Sequence, residues 1–538
     1  MNNQKLNYFF PLIHLPAFLT GIVFLIIYWG IGYDGITFSD DVYYLLAGKK
    51  FWEGDMQVNE YHFSSRWGAY IPSGLIGHLL GFEPHRISLI SLLSYTFSFF
   101  LLIRTLPKNY PAWVLTLWFC TQVYFLHFLT KVYPDSLLVL FTCLIPVAAT
   151  QRNTRPILAG FVLVLSLFLG FLTKETIVLL APFPALLFIY DFRKKHVEIS
   201  FYNTIMVTGI ILLSLYLCYF WVNFGDPMYR INSIHAGHYI SAYSYADKGF
   251  GAILKRLTVI PISNFVDRSY WTWMVFALPG ILLGLKSKVW SGFEFSLAFL
   301  CLLVGFWFMS SSLEFYNPIY LNPRHLIIFI PILAMLIALG WYHGVHSYQL
   351  KKWMAGLLLF GVIISLFSQD LKMAAFNFAL AILAGYSHLR FQPVLVAICL
   401  IAPACLAIPY QQKLKQYPFL IKTLSEETDR SVNETFLITN NFLEFSEQVL
   451  FPENPTNQVK MRGLDAIMSW EKPKFDTVTM LLYSYYLHAY PLEEKEIDRV
   501  LLKLNELGYE LAQEENKGVI QKYIFLKPNI SETDQPIN

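Results

Sequence analysis

Residues 11–44 read PLIHLPAFLTGIVFLIIYWGIGYDGITFSDDVYY. The run from 11 to 32 is apolar and long enough for the ~20 residues that cross a bilayer as a helix. No small-residue cleavage site ends it, and it continues into a polar loop, so it reads as a first transmembrane helix and not as a removable signal. A short way into that loop stand adjacent carboxylates, Asp40 and Asp41, followed by Tyr43 and Tyr44.

The rest of the chain repeats the apolar pattern. Of 538 residues, 55% are hydrophobic and 14% charged, against about 25% charged in an ordinary soluble domain. Apolar segments fall at 11–31, 86–106, 111–129, 133–150, 156–173, 176–190, 201–222, 270–286, 291–311, 324–343, 353–369, 371–388 and 393–409. The pairs within 156–190 and 353–388 each admit a different count. The expectation is a polytopic α-helical membrane protein with about thirteen transmembrane helices over residues 1–409.

Orientation follows from lysine and arginine in the short loops. With the N-terminus in the cytoplasm, the inner loops hold Arg104 and Lys108, Arg152 and Arg155, Arg193 to Lys195, Lys286 and Lys288, Lys351 and Lys352, and Arg390. The alternate short connections hold single cations, Lys131, Lys174 and Lys372. Three long regions then lie outside: 32–85, 223–269 and the region from 410 on. The 223–269 loop breaks the pattern, because it carries Arg230, Lys248, Lys255, Arg256 and Arg268.

Within these regions 42–52 reads as a helix, 70–82 as too short and too broken by Gly and Pro to span, and 250–266 as an amphipathic interfacial helix. Residues 410–538 read as a small extracytoplasmic α/β domain, with strands at 436–439, 477–483 and 519–525 and a helix at 493–507.

Several functions lose support. The net charge of +3 gives no nucleic-acid footprint. The six cysteines lie in apolar runs without zinc or redox spacing. There is no phosphate-binding Gly-Lys-Ser/Thr loop, dinucleotide glycine fingerprint or His-Glu-x-x-His helix.

The ionisable residues cluster at the outer helix ends. Asp40 and Asp41 are either a helix start or a base for a hydroxyl. Asp135 opens a helix in Tyr133-Pro134-Asp135-Ser136, where it either complements the helix dipole or does chemistry. Lys174-Glu175 is either an internal salt bridge or a lipid-phosphate contact. Arg324 in Asn322-Pro323-Arg324-His325 either snorkels or grips phosphate. Arg66, His235 and His238 are weaker candidates.

In this order the motifs resemble those of the polytopic glycosyltransferases of the C superfamily (GT-C). The branch most similar contains the protein O-mannosyltransferases and the bacterial aminoarabinose transferases of lipid A. The resemblance covers about residues 8–345. It rests on Ser39-Asp40-Asp41, on Arg66-Trp67-Gly68 through Pro72 to Gly81-Phe82, on Pro134-Asp135-Ser136, on Gly170-Phe171-Leu172-Thr173-Lys174, and on Arg324-His325 with Pro331. Arg66 stands where the aminoarabinose transferases often carry lysine.

The resemblance implies transfer of a sugar from a polyprenyl-phosphate donor to a glycan, lipid or protein acceptor, with inversion, on the outer face of a membrane. The setting it suits is the inner membrane of a bacterium. It implies Asp40 as base with Asp41 and Asp135 as its catalytic partners, and Lys174, Arg324 and Arg66 on the donor phosphate. Tyr43, Tyr44, His238 and His325 would contact substrate. No cofactor is required on this reading, although Mg²⁺ or Mn²⁺ between Asp40, Asp41 and Asp135 is an alternative. Other readings are a flippase for a lipid-linked sugar, an oligosaccharide ligase with a diphosphate-linked donor, or a non-catalytic scaffold.

Overall fold

Prolines in the first turn start many of the helices, where their missing N–H breaks no hydrogen bond; Pro134, Pro156 and Pro323 are examples. The structure is a computed structural model. It describes residues 12–237, 244–289, 291–312, 314–386, 391–430, 435–452 and 461–527. His238 and Arg390 lie outside the described residues.

Among the described residues, eight helices are long and apolar enough to cross a membrane, or nine if one bent pair is a single span. Shorter apolar helices at Pro134–Thr150, Tyr270–Leu285, Gly292–Phe308 and Leu371–Gly385 complete the bundle. The Phe329–His346 helix is 78% buried and forms its centre, whereas Ile199–Phe224 is 11% buried and turns its side chains outward at the periphery.

Two elements differ from the sequence reading. The segment expected as one helix over 111–129 bends by 71° between Ala112–Cys120 and Val123–Leu129. Gln122 makes the break: its side-chain oxygen caps the Phe125 N–H at 2.6 Å and its amide donates to the Arg268 carbonyl and to Ser269. The segment 176–190 begins as a 3₁₀ turn, Glu175–Leu180, and becomes α-helical only at Phe183–Arg193, past Pro182. The stretch near 70–82 is not among the candidate spans, as expected, and folds as a 14-residue helix, Trp67–Leu80, that tolerates Pro72 within it. It packs against the Asp40–Glu53 helix at a crossing of Gly48 and Gly74, where a Cβ on Gly74 would stand 2.3 Å from the Gly48 carbonyl oxygen.

The C-terminal region forms a five-stranded sheet. Strands β1 (Thr435–Thr439), β2 (Met461–Arg462), β3 (Thr477–Tyr483), β4 (Glu510–Lys517) and β5 (Ile520–Leu526) take the order β2-β1-β3-β5-β4. β1 is parallel to β2 and β3, and β5 is antiparallel to β3 and β4. Side chains alternate along β3 with the two-residue period of a strand. Val478, Met480 and Leu482 pack with Val500 and Leu504 of the Pro491–Glu506 helix. Leu481 and Tyr483 pack with Ile36, Phe38, Val42 and Leu45 of the first long loop.

That docking is also electrostatic. Asp34 is buried against Lys131, with Lys415 Nζ at 2.8 Å from its carboxylate. Lys415 ends the Gln392–Lys415 helix, which runs past the boundary expected at 409, and its carbonyl accepts the Tyr483 hydroxyl at 2.6 Å. Gly35, at φ +96°, lies so close to Tyr417 that a Cβ would stand 2.2 Å from the ring.

Candidate active site

Phe38 holds the turn that leads into the Asp40–Glu53 helix. Its φ is +53°, a conformation rare for a bulky residue. Two things keep it there. Its ring is buried against Phe442, Tyr483 and Tyr486. The Asp41 carboxylate also accepts the N–H of Thr37 at 2.6 Å and of Ser39 at 3.1 Å, bracketing the turn. Asp41 is thus buried and spent on its own loop, and Asp40 is the carboxylate presented.

Asp40 Oδ2 lies 2.7 Å from Arg324 Nη2. The Arg324 guanidinium sits over the Tyr133 ring at 5.0 Å, and the Tyr133 hydroxyl meets Thr37 Oγ1 at 2.5 Å. Asp135, in the first turn of Pro134–Thr150, receives Lys174 Nζ at 2.8 Å on both oxygens. The sequence left open an ion pair between Lys174 and its neighbour Glu175. The structure pairs each elsewhere: Glu175 takes Arg66 at 2.7 Å and Arg230 at 2.6 Å. Arg66 also donates to the Tyr44 hydroxyl at 2.7 Å. Lys174, Arg66, Arg230 and Arg324 thus face Asp40, Asp135 and Glu175, one cation in excess of the carboxylates.

The charges set the protonation states. Burial pushes the Asp40 carboxyl up, but Arg324, Lys174 and Arg66 outweigh it and hold it below the ordinary carboxylate range. Burial drives the Lys174 ammonium down to about 8, against the pull of Asp135 and with the push of Arg324 and Arg66. His325 is held neutral by burial and by the Lys174 and Arg324 charges. Its hydrogen bonds agree: Nε2 accepts from Arg324 Nε at 3.3 Å, leaving the proton on Nδ1 to bond the Tyr320 carbonyl at 2.8 Å.

Seven of the ten site residues named from sequence therefore gather here: Asp40, Asp135, Lys174, Arg324, Arg66, Tyr44 and His325. Asp41 turns away, and Tyr43 lies outside the cation cluster, packed against Tyr61 and Phe63 of the same loop. Glu175, read from sequence only with Lys174, bridges Arg66 and Arg230, and Arg230 was not named as a site residue. The signal was the excess of cations in 223–269, and three of these point inward. Arg230 reaches Glu175. Arg256 donates to the carbonyls of Phe306, Trp307 and Ile319, and Arg268 donates to the Tyr124 hydroxyl at 3.2 Å.

Two cavities flank the first loop. One of about 630 Å³ has Asp40 in its wall and is closed on the far side by the sheet domain. The other, of about 1130 Å³, is bounded by Asp34, His127, Arg268 and Lys415 above an apolar wall that includes Leu400 and Leu406. Among the described residues no three His, Cys, Asp or Glu side chains converge as metal ligands would. The oxygens of Asp40, Asp41 and Asp135 point to Arg324, main-chain N–H groups and Lys174 in turn.

No protein-family model and no curated protein matches the sequence. The structure does have solved neighbours. ArnT from Cupriavidus metallidurans bound to undecaprenyl phosphate superimposes with a TM-score of 0.58 at 11% identity, over 94% of this chain and 97% of that one. Its apo state gives 0.57 at 12% identity, over 95% and 98%. The archaeal oligosaccharyltransferase AglB from Archaeoglobus fulgidus, with an inhibitory peptide and a dolichol-phosphate, gives 0.44 at 11% identity over 98% and 75%, a likeness too loose to argue from. The chain has a polytopic α-helical membrane fold with a small C-terminal α/β region. It shares that fold with ArnT over nearly its whole length.

Proposed function

We propose that this protein transfers a sugar from a polyprenyl-phosphate donor to an acceptor hydroxyl at the outer face of a membrane, with inversion. The observation that carries the reading is Asp40, an ionised carboxylate at the junction of a cation-rich cluster and an open cavity. The full-length fold likeness to ArnT, seen with undecaprenyl phosphate bound, supports the class of donor.

The cluster's excess positive charge suits a phosphate monoester. Lys174, Arg324 and Arg66 would lie against its oxygens, with Arg230 behind them holding Glu175. The acceptor oxygen attacks the anomeric carbon as its proton passes to Asp40. The bond from that carbon to the phosphate oxygen breaks, and the phosphate leaves with the electron pair. Fixed cations facing that growing charge stabilise the transition state more than the ground state. Asp135 keeps Lys174 aimed, Asp41 keeps the turn that presents Asp40, and Tyr44 holds Arg66. The Trp67–Leu80 helix, crossing at Gly48 and Gly74, fixes the depth of the Asp40 helix.

The positive-inside pattern supports a cytoplasmic N-terminus and, with it, this cluster and the sheet domain on the outer face; the setting this reading suits is a bacterial inner membrane. The test is transfer in nanodiscs from a panel of radiolabelled polyprenyl-phosphate sugars to crude envelope acceptors, with Asp40→Asn as control. Asp40-dependent movement of label from one donor to an acceptor establishes the reaction. No consumption of any monophosphate donor would transfer the argument to a diphosphate-using ligase, and donor binding without transfer to a flippase.

A further inference from the structure

The cavity of about 630 Å³ beside Asp40 differs in character from the cation cluster on the carboxylate's other side. None of Lys174, Arg66, Arg230 or Arg324 lines it, and among the described residues no lysine or arginine does. Its walls come from two distant parts of the chain. Tyr43 and Tyr61 belong to the first long loop, and Phe442, Tyr490 and Glu496 belong to the sheet domain. Tyr61 is exposed at the rim and stacks edge-on to Tyr43 at 5.0 Å, while Tyr490 and Phe442 stack face to face at 5.0 Å opposite. Glu493 in the same wall is spent on Asn440 Nδ2 and the Phe442 N–H. Glu496 is half-buried and held by Asn441 Nδ2 at 2.9 Å, so it is the carboxylate the sheet domain presents.

Aromatic walls with a few fixed polar groups are the common make-up of a small-molecule site, and rings facing one another suit the C–H faces of a sugar ring. The carboxylates suit its hydroxyls as acceptors. Asp40 is matched by Arg324 behind it, so an anionic group placed here would meet above all the Glu496 carboxylate, which no lysine or arginine in the wall offsets among the described residues.

We propose that this cavity is the acceptor subsite and that it takes an uncharged carbohydrate. This rests on the transfer reading above. The hydroxyl reaches Asp40 from the sheet-domain side and the donor phosphate from the cation side, so the two substrates meet at one carboxylate without sharing a pocket. The proton passes to Asp40 as the acceptor oxygen bonds to the anomeric carbon and the phosphate departs with the electrons of the broken bond. Tyr61 and Glu496 determine specificity and do not touch the reacting atoms.

The test uses the full chain in nanodiscs with the donor that the wild type consumes. Envelope oligosaccharides are split by anion exchange into neutral and anionic pools, and each pool is offered as acceptor. Label should enter the neutral pool. Glu496→Lys and Tyr61→Ala should each raise the acceptor KM at least tenfold, while the donor KM stays within twofold, and Glu496→Gln should recover most of the loss. Label entering only the anionic pool overturns the proposal. So does an acceptor KM unchanged in both variants. Failure of the wild type to consume any monophosphate donor would instead overturn the transfer reading beneath it.

Discussion

Arg324 Nη2 stands 2.7 Å from Asp40 Oδ2, and the Tyr133 ring lies under the guanidinium. The pair joins the start of the Asp40–Glu53 helix to the Pro323–Leu326 turn at the entrance to the central helix. It keeps the carboxylate ionised and aimed, at the expense of basicity.

Asp40→Asn keeps the shape of that pair and removes the base. We expect kcat to fall by about 10²–10⁴-fold, the usual worth of a positioned acid or base. Membrane insertion and elution of the purified protein should not change. Activity within a few-fold of wild type would remove Asp40 from the reaction.

Lys174 gives the site a basic limit. An ammonium is charged below its pKa, and this one is lowered to about 8. If it meets the donor phosphate, kcat/KM for the donor should be full below about pH 8 and fall above it. In Lys174→Arg the charge persists, and the falling limb should move up by at least a unit. A limb at the same pH in both proteins would assign it to another group.

Asp34 ties the sheet domain to the first loop. Burial pushes its carboxyl up, but Lys131, His127 and Lys415 outweigh that and hold it far below its ordinary range. A depressed carboxyl adds stability that is complete above the unfolded value of about 4 and is lost as pH falls from there towards the folded value. Asp34→Asn strands buried Lys131 and Lys415, a class of change that costs about 3–5 kcal/mol. Thermal unfolding of the purified protein should show a clear drop in midpoint at neutral pH, with a weaker dependence on pH below 4. An unchanged midpoint would mean that the apolar contacts alone hold the domain.

Chelation separates the metal-free mechanism from its alternative. With Asp40, Asp41 and Asp135 each engaged by protein groups, transfer after EDTA treatment and desalting should stay within twofold. Loss of activity restored by Mg²⁺ or Mn²⁺ would require those carboxylates to rearrange around an ion.

Much of the architecture was legible because the spans are long and apolar, and a short β-branched and apolar run such as 477–483, TVTMLLY, reads as a buried strand. Strand β4 was not: its sequence, ELAQEENK, lies at the exposed edge of the sheet, where only main-chain pairing with β5 is needed. The bend at Gln122 depends on a side chain reaching Arg268 and Ser269 across the fold, which local pattern does not carry. The site followed the same division. Asp40, Asp135, Lys174 and Arg324 were visible as charges at helix starts or hairpins, but which cation meets which carboxylate is a tertiary fact. Arg152 makes the point at the other end of the bundle. It read as a loop cation, yet it is buried against Asp191 at 2.8 Å and Glu294 at 2.5 Å.

The Phe38 turn has a consequence for biosynthesis. Its main chain is held by the Tyr486 hydroxyl on Ile36, a bond between residues 450 positions apart, and by Tyr490 on Phe38 itself. A ribosome adding about 5–20 residues per second takes roughly 20 to 90 s to cover that distance. Throughout that interval the loop bearing Asp40 has only its local Asp41 hydrogen bonds to hold the turn. On the transfer reading proposed above, a chain whose sheet domain is not yet made lacks the ring and hydroxyl contacts that complete the Asp40 turn, so it should not yet turn over its donor.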